Sequence, residues 1–284
     1  MIYLLIVSVI WAFSFGLIKG KLAGLDSHFV AFARLAISFI FFAPFLKTKG
    51  LDIKNLRTAI VIGAIQFGLM YIFYIHAYNY LQAWQIALFT VFTPIYVSLI
   101  NDLIHKKFNG LFLLAAVLAI IGAAIIVFRD IASYELQFGF LLIQVSNICF
   151  ALGQILYKKL KTDNPEIKNT ILFSWLYLGA FVLSGINSLV MTNWFVLELN
   201  SIQIYTLLYL GVLASAIGFF LWNFGATKVN AGTLAVFNNL KVPLGVIFAI
   251  TFFGESADIE KIIVGGIIIL LAIFITERFQ IQKA

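Results

Sequence analysis

A lysine in this sequence stands where a charge is costly. Lys241 lies about ten residues into the apolar run over 231–252, which places it roughly 15 Å deep in a hydrocarbon core of about 30 Å. An ionisable side chain at that depth usually faces a cavity or a partner. Two interpretations stay open: Lys241 binds the anionic part of a ligand, or it donates to carbonyls freed by Pro243. Asn238, one turn before Lys241 on the same helix face, favours the ligand, and Asn239 adjoins it.

A polar stripe follows the apolar run over 138–157. Its members recur at steps of three and four residues, as expected for one face of a helix; they are Gln144, Asn147, Ala151, Gln154 and Lys158. Because lipid would penalise such a face, we expect it to face protein or water. Packing between helices is one interpretation, and a cavity wall shared with Trp11 and Phe15 of the first apolar run is the other.

Aromatic side chains that carry polar groups are further candidates for a binding site. Tyr74, Tyr78 and Trp222 each need a hydrogen-bond partner when buried. We expect them to line a cavity together with Lys241. The substrate-binding prediction thus rests on a cation surrounded by amides and aromatic rings.

Structural roles are expected for other residues. Arg34 lies only about six residues inside its apolar run, where a long side chain reaches the outer membrane boundary and pairs with Asp26 or Asp130. Gly16 and Gly153 are expected to permit close helix approach.

Enzymatic chemistry has little support in the sequence. Cys149 is the single cysteine, the three histidines are dispersed, and no carboxylates are paired at helical spacing. Nothing resembles a phosphate-binding loop. We therefore expect no metal, no cofactor and no enzyme, and a membrane enzyme acting on lipid is the least favoured class.

The elements that must position these residues are membrane helices. Of 284 residues, 63% are hydrophobic and 11% charged, and the mean hydropathy is +1.05. A soluble domain carries about a quarter charged residues, so a water-soluble protein is excluded. The apolar runs predict ten helices over 2–18, 28–46, 58–77, 84–101, 110–128, 138–157, 170–190, 203–222, 231–252 and 260–276. The least secure break is the uncharged turn over 79–82, and the first run is interpreted as a retained helix rather than a signal peptide.

Basic residues are distributed unevenly among the predicted loops. One set of alternate loops with the C-terminal tail holds 13 of them: Lys47, Lys49, Lys54, Arg57, Lys106, Lys107, Lys158, Lys159, Lys161, Lys168, Lys228, Arg278 and Lys283. The opposite set holds Lys19, Lys21, Arg129 and Lys261. This bias predicts that both termini are cytoplasmic in the cell membrane of a prokaryote.

The two halves of the chain repeat each other weakly but in order. Residues 13–16 match 150–153 at an offset of 137, and Pro94 matches Pro243 at an offset of 149. We therefore divide the chain into 1–132 and 133–284. Each half holds five helices, an odd number, so the second enters the membrane from the opposite side. The predicted fold is an all-α integral membrane protein with ten transmembrane helices in two inverted five-helix repeats, an architecture of transporters.

Several segments resemble a known family. They are Trp11-Ala12-Phe13-Ser14-Phe15-Gly16 with Lys19, Phe32-Ala33-Arg34-Leu35, Tyr78-Asn79-Tyr80-Leu81 with Ala83 and Pro94, Leu221-Trp222-Asn223, Asn230-Ala231-Gly232, Pro243 and Gly254-Glu255. Over nearly the whole chain they resemble the drug/metabolite transporter superfamily, specifically its ten-helix EamA-type members. The resemblance implies a central cavity lined by helices 1, 3, 4, 6, 8 and 9, with structural roles for Pro94, Pro243 and Glu255. Lys241 departs from the apolar or acidic residue that relatives often have there.

These observations predict a secondary transporter of small organic metabolites, such as amino acids, carboxylates or related zwitterions. It would work by alternating access around a mid-membrane cavity. Transport of amines, or of drug-like or nucleotide-related solutes, and flipping of a lipid carrier are the alternatives. The expected partners are a small-molecule substrate and the lipid bilayer, not nucleic acid, and the chain is compatible with a monomer.

Overall fold

All regular structure in the described part of the chain is helical. The computed structural model describes residues 2–48, 52–105, 133–229, 231–256 and 258–268, with positions 118, 121, 122, 125 and 271. The helices are α1 (Ile2–Lys21), α2 (Ser27–Phe42), α3 (Ile53–Asn79), α4 (Ala83–Phe89, Thr90–Phe92 and Thr93–His105 in succession), α5 (Tyr134–Asp163), α6 (Asn169–Met191), α7 (Ser201–Ala226) and α8 (Ala231–Phe253). A further helical stretch covers 259–268.

The helices have the length and composition of membrane spans. Within the described residues, the seven helices α1 to α7 each contain an apolar stretch long enough to cross a bilayer, and α8 contains a shorter one, Phe237–Phe253. The predicted all-helical membrane fold is therefore confirmed. The predicted helix over 110–128 and the second half of the one over 260–276 lie almost wholly outside the described residues, as do Arg129, Asp130 and Asn230. The count of ten helices stays a prediction.

Several helices begin where polar side chains satisfy the first free N–H groups. The Asp26 carboxylate accepts from the Phe29 N–H at 2.8 Å at the start of α2. The Ser133 hydroxyl accepts from Leu136 N–H at 3.1 Å at the start of α5. Before α7, Asn200 and the residue three positions on cap each other reciprocally. Local sequence thus sets these boundaries.

The uncharged turn between α3 and α4 is present as predicted. The Tyr80 and Leu81 N–H groups both donate to the Ala77 carbonyl at 3.0 Å. Gln82 and Gln85 then form a capping box that opens α4. The helix break therefore needs no charge, because backbone and amide groups satisfy the freed donors.

Two wide helical turns interrupt α3 and α7. Residues Ala64–Leu69 and Leu210–Ile217 adopt the π-helical spacing, in which each N–H bonds five residues back. Their first residues are 146 positions apart, within the offsets of the sequence repeat. This correspondence is a second observation in favour of a duplication, and the boundary between 132 and 133 stays a prediction.

The helices of one half pack against helices of the other. Helix α1 packs against α8, α2 and α3 pack against α6, and α4 packs against α5 and α8. Glycines allow the closest approaches: a Cβ on Gly63 would overlap the Leu176 carbonyl, and one on Gly179 would overlap the Ile60 carbonyl. Backbone therefore meets backbone between α3 and α6, and the sequence prediction missed this crossing.

The two glycines singled out in the sequence also lie at helix crossings. A Cβ on Gly16 would overlap the ring of Phe253 in α8, and one on Gly153 would overlap the Gln66 side chain in α3. Both therefore hold positions where a larger residue would push two helices apart.

Candidate substrate-binding site

A cavity lies where α1, α2, α3, α4, α5, α7 and α8 meet, with about 550 Å³ of atom-free space that includes its opening to the surroundings. Its lining residues are Trp11, Ser14, Phe15, Arg34, Met70, Tyr71, Tyr74, Thr90, Thr93, Ser146, Asn147, Phe150, Phe219 and Lys241. The family resemblance implied a cavity lined by predicted helices 1, 3, 4, 6, 8 and 9, which correspond to α1, α3, α4, α5, α7 and α8. Helix α2 is an additional wall.

Lys241 faces this cavity from α8 and is almost fully buried, with 6% of its surface exposed. Its ammonium group donates to Asn238 Oδ1 at 3.1 Å. The same nitrogen lies 5.2 Å from the ring centroid of Trp11 and 5.8 Å from that of Phe150. Among the described residues its hydrogen-bond partner is thus an amide rather than a carbonyl freed by Pro243. Asn238 supports Lys241 from behind, since Asn238 itself does not line the cavity.

The sequence predicted that the Arg34 side chain reaches the outer membrane boundary. The structure instead places it in the cavity wall. Only 2% of it is exposed, and its Nη2 donates to the Tyr71 hydroxyl at 2.8 Å and to Ser215 Oγ at 3.2 Å. Its guanidinium carbon lies 4.5 Å from the Tyr71 ring centroid. The predicted partner Asp26 instead caps α2 and accepts from Thr192. Helix α2 turns Arg34 inward, so snorkelling is wrong for this residue.

Trp11 and Phe15 both line the cavity from α1. Trp11 Nε1 donates to the Ala214 carbonyl of α7 at 2.9 Å, which fixes the orientation of the indole ring. The ring centroid of Phe15 lies 6.3 Å from that of Tyr74. Rings from α1 and α3 therefore form an apolar wall beside the two cations.

Tyr74 lines the cavity, whereas Tyr78 lies one turn farther along α3. Their hydroxyls are 2.9 Å apart. Tyr78 faces an adjacent space, and its carbonyl accepts from Lys19 Nζ at 2.8 Å. The tyrosine pair thus separates the cavity from this second space.

The polar stripe of α5 divides between the cavity and the helix interfaces. Asn147 lines the cavity; its Nδ2 donates to the Phe89 carbonyl at 2.9 Å and its Oδ1 accepts from Thr93 at 3.1 Å. Gln144 accepts from the Tyr96 hydroxyl at 3.1 Å and is not a lining residue. Both interpretations of the stripe therefore hold, each for different residues.

Three more candidates lie outside the cavity wall. Trp222 is fully buried and donates to Gln154 Oε1 at 3.2 Å, so the two residues join α7 to α5 away from the lining. Asn239 is also buried and absent from the wall. These residues lie on faces of α5, α7 and α8 that pack against neighbouring helices. The sequence does not indicate this orientation, because the residues around them are apolar on all sides.

Sequence reasoning missed Tyr71 as a support of the site. The Tyr71 hydroxyl lies 2.8 Å from Ser215 Oγ, and Ser215 donates to the Leu210 carbonyl within the wide turn of α7 at 2.7 Å. One available signal is Ser38, which stands one turn after Arg34 and indicates a polar face of α2. Long-range contacts with α3 and α7 carry no such local signal.

Among the residues that the structure describes, the cavity wall carries two cations and no carboxylate. In the described part of the chain, the ion pair that forms is Lys261 with Asp258 at 3.2 Å, on the surface. Glu255 is engaged elsewhere, accepting from the N–H groups of Ala83 and Trp84. The site therefore suits an anionic ligand or one rich in hydrogen-bond acceptors.

Comparison with known sequences identifies the family. The profile of the EamA-like transporter family matches residues 1–128 and 137–277. The chain belongs to the EamA-like transporter family. It is a multi-pass membrane protein and a secondary transporter of that kind.

Individual relatives extend over the whole length of this family member. The chain is 37% identical to the biotin transporters of Salmonella typhimurium and Escherichia coli, over 100% of its own length and 95% of theirs. It is 39% identical to a probable biotin transporter of Pseudomonas aeruginosa, over 96% of both chains. A crystal structure with 13% sequence identity superposes with a TM-score of 0.69 over 96% of this chain and 95% of that chain, which shows the fold alone. The predicted amino-acid transport finds no support among these relatives.

Proposed function

We propose that this EamA-family protein transports biotin across the bacterial cell membrane. Relatives that are 37–39% identical over 96–100% of its length are named biotin transporter or probable biotin transporter. The structural observation that carries the proposal is the buried Lys241 ammonium, which faces a cavity with no carboxylate among its described lining residues. Biotin brings a carboxylate on an aliphatic chain, so it supplies the missing negative charge.

The ammonium of Lys241 pairs with the biotin carboxylate in this proposal. A charge in a water-poor site is costly until it meets an opposite charge with good hydrogen-bond geometry. Asn238 Oδ1 accepts from the ammonium at 3.1 Å, and no second acceptor for Nζ is found among the residues that the structure describes, so its remaining donors can meet the ligand. In this proposal Lys241 binds the carboxylate of the substrate, and Asn238 holds the Lys241 side chain in position.

Aromatic rings suit the apolar part of the same ligand. Trp11, Phe15, Phe150 and Phe219 all line the cavity, and packing of aliphatic groups against such rings is favourable. Two cations in the wall disfavour amines, because like charges repel in a medium of low dielectric constant. Alternating access would expose this cavity to each side of the membrane in turn.

Uptake of radiolabelled biotin into proteoliposomes tests the proposal. We expect saturable uptake by the parent protein and at least tenfold weaker binding in Lys241→Gln, which keeps a donor but loses the charge. Lys159→Gln, which removes an exposed lysine, is the matched control and should bind as the parent does. Absence of saturable biotin uptake by well-folded parent protein would contradict the proposal.

A further inference from the structure

Arg34 offers the cavity hydrogen-bond donors that the protein itself does not use. Its Nη2 is engaged by the hydroxyls of Tyr71 and Ser215. Its Nε and Nη1 are buried and meet no acceptor among the described residues. Buried donors without partners are costly, and a residue that lines a cavity can satisfy them with a ligand.

A row of three aromatic rings lies between Arg34 and Lys241. The Lys241 nitrogen lies 5.2 Å from the Trp11 ring, the Trp11 and Phe219 centroids are 4.8 Å apart, and those of Phe219 and Tyr71 are 5.9 Å apart. Arg34 then lies over the Tyr71 ring at 4.5 Å. The cavity wall therefore has a cationic group at each end of a chain of ring contacts formed by Trp11, Phe219 and Tyr71.

We propose that Arg34 binds the polar end of the substrate opposite to its carboxylate, and so selects molecules that carry hydrogen-bond acceptors at both ends. This inference rests on the proposed biotin transport. Biotin matches the pattern, since an aliphatic chain separates its carboxylate from the carbonyl of its ureido ring. The donors of Arg34 would meet that carbonyl oxygen.

The chemistry of the two cations decides which of them binds the carboxylate of the substrate and which binds its ureido carbonyl. The ammonium of Lys241 is a concentrated charge with one amide partner, and it gains most from a full negative charge. The guanidinium of Arg34 spreads its charge over a plane that already lies on the Tyr71 ring. A neutral carbonyl is therefore a sufficient acceptor for its remaining N–H groups, and the carboxylate goes to Lys241.

Three ligands separate the two ends in a binding experiment on the purified full-length protein. Biotin carries both ends, lipoic acid carries the same pentanoic acid chain on a ring without a ureido group, and biotinamide keeps the ureido ring but has no carboxylate. Titration calorimetry with the parent protein should rank biotin above both single-ended ligands. Equal affinities for all three would overturn the inference.

The variants Arg34→Gln and Lys241→Gln should then show opposite patterns. We expect Arg34→Gln to weaken binding of biotin and biotinamide by about tenfold or more while lipoic acid is little affected. Lys241→Gln should weaken biotin and lipoic acid and spare biotinamide. The reverse pattern would place the carboxylate at Arg34 and overturn the assignment of the ends.

A purely structural Arg34 predicts a different result. Its bonds to Tyr71 and Ser215 also join α2 to α3 and α7, so equal loss of all three ligands with a lowered melting temperature would identify that role. Ser38 lies outside the cavity wall, and Ser38→Ala removes a bond to the Gly211 carbonyl that also joins α2 to α7; it should lower stability without changing the ranking of ligands. If Arg34→Gln does not fold, Arg34→Met, whose long flexible side chain has no N–H donor, serves instead, and an unchanged ranking in that variant would overturn the inference.

The same titrations separate failure of this inference from failure of the proposed function. Binding of lipoic acid as tight as that of biotin leaves carboxylate transport intact and removes the role of Arg34. No binding of biotin by folded parent protein removes the proposed function itself, and the role of Arg34 with it.

Discussion

The Glu255 carboxylate closes the first turn of a helix that lies more than half the chain away. Its two oxygens accept from the N–H groups of Ala83 at 2.9 Å and Trp84 at 3.0 Å, at the start of α4. Gly254 makes this possible: its φ of +68° turns the chain sharply after α8. The beginning of α4 in the first half is thus held by the end of α8 in the second.

Replacing Glu255 should loosen this junction. We expect Glu255→Ala to lower the free energy of unfolding by about 1–2 kcal/mol, since it removes both the cap and a negative charge at a helix N-terminus. Glu255→Gln should lose less, because one amide oxygen still accepts. Thermal unfolding in detergent measures the change, and Glu260→Ala, at an exposed position, is the control. Equal melting temperatures for all variants would contradict a capping role.

Trp222 and Trp11 should separate packing from binding. Trp222→Phe leaves Gln154 Oε1 without its donor in a buried place, so we expect a loss of about 1–3 kcal/mol in stability with unchanged biotin affinity. Trp11→Phe alters the ring beside Lys241 and should weaken binding. Calorimetry and thermal unfolding on both variants test this, and a loss of affinity confined to Trp222→Phe would reverse the assignment.

The crossing of α3 and α6 should tolerate no side chain at Gly63 or Gly179. A methyl group on Gly63 or Gly179 would overlap a backbone carbonyl of the partner helix, and backbone cannot move aside as a flexible side chain can. We expect Gly63→Ala and Gly179→Ala to reduce the yield of folded protein severely. Gly266→Ala is the matched control, because its Cβ would meet nothing within 4 Å. Similar size-exclusion profiles for all three variants would refute this packing argument.

Orientation in the membrane follows from the loop charges. A reporter fused after residue 165, in the lysine-bearing connection between α5 and α6, should be active in the cytoplasm. A reporter fused after Gly24, between α1 and α2, should be active on the opposite side. Periplasmic activity of the first fusion would show that the predicted orientation is inverted.

Transport should not need a proton gradient. Carrier proteins that use protons often do so through a buried carboxylate, and the described part of the chain places none in the cavity wall. We therefore expect a facilitator or an exchanger, with biotin uptake into proteoliposomes unchanged by an imposed pH gradient. Uphill uptake that is driven by pH and lost on replacing only Glu135, Glu255 or Glu277 would contradict this expectation.

The sequence by itself determined the helices and much of their boundaries. In a bilayer every backbone N–H and C=O group must bond within the chain, so an apolar run of sufficient length has the helix as its solution. Local capping residues such as Asp26 and Ser133 set where helices start. The depth of Lys241 in its apolar run also follows from counting, and the structure places that lysine at a cavity.

Tertiary structure alone decided which polar residues share that cavity. Arg34 was expected outside the cavity and lines it, whereas Trp222 was expected in the cavity and packs between helices. The reason is that a helix in lipid is apolar on nearly every side, so its pattern does not show which face meets protein. The contact of α3 with α7 joins residues far apart along the chain, such as Tyr71 and Ser215, whose hydroxyls are 2.8 Å apart in space although the residues are 144 apart in sequence. Such contacts form only when the seven helices around the cavity have packed together. Periodicity within one helix does not indicate them.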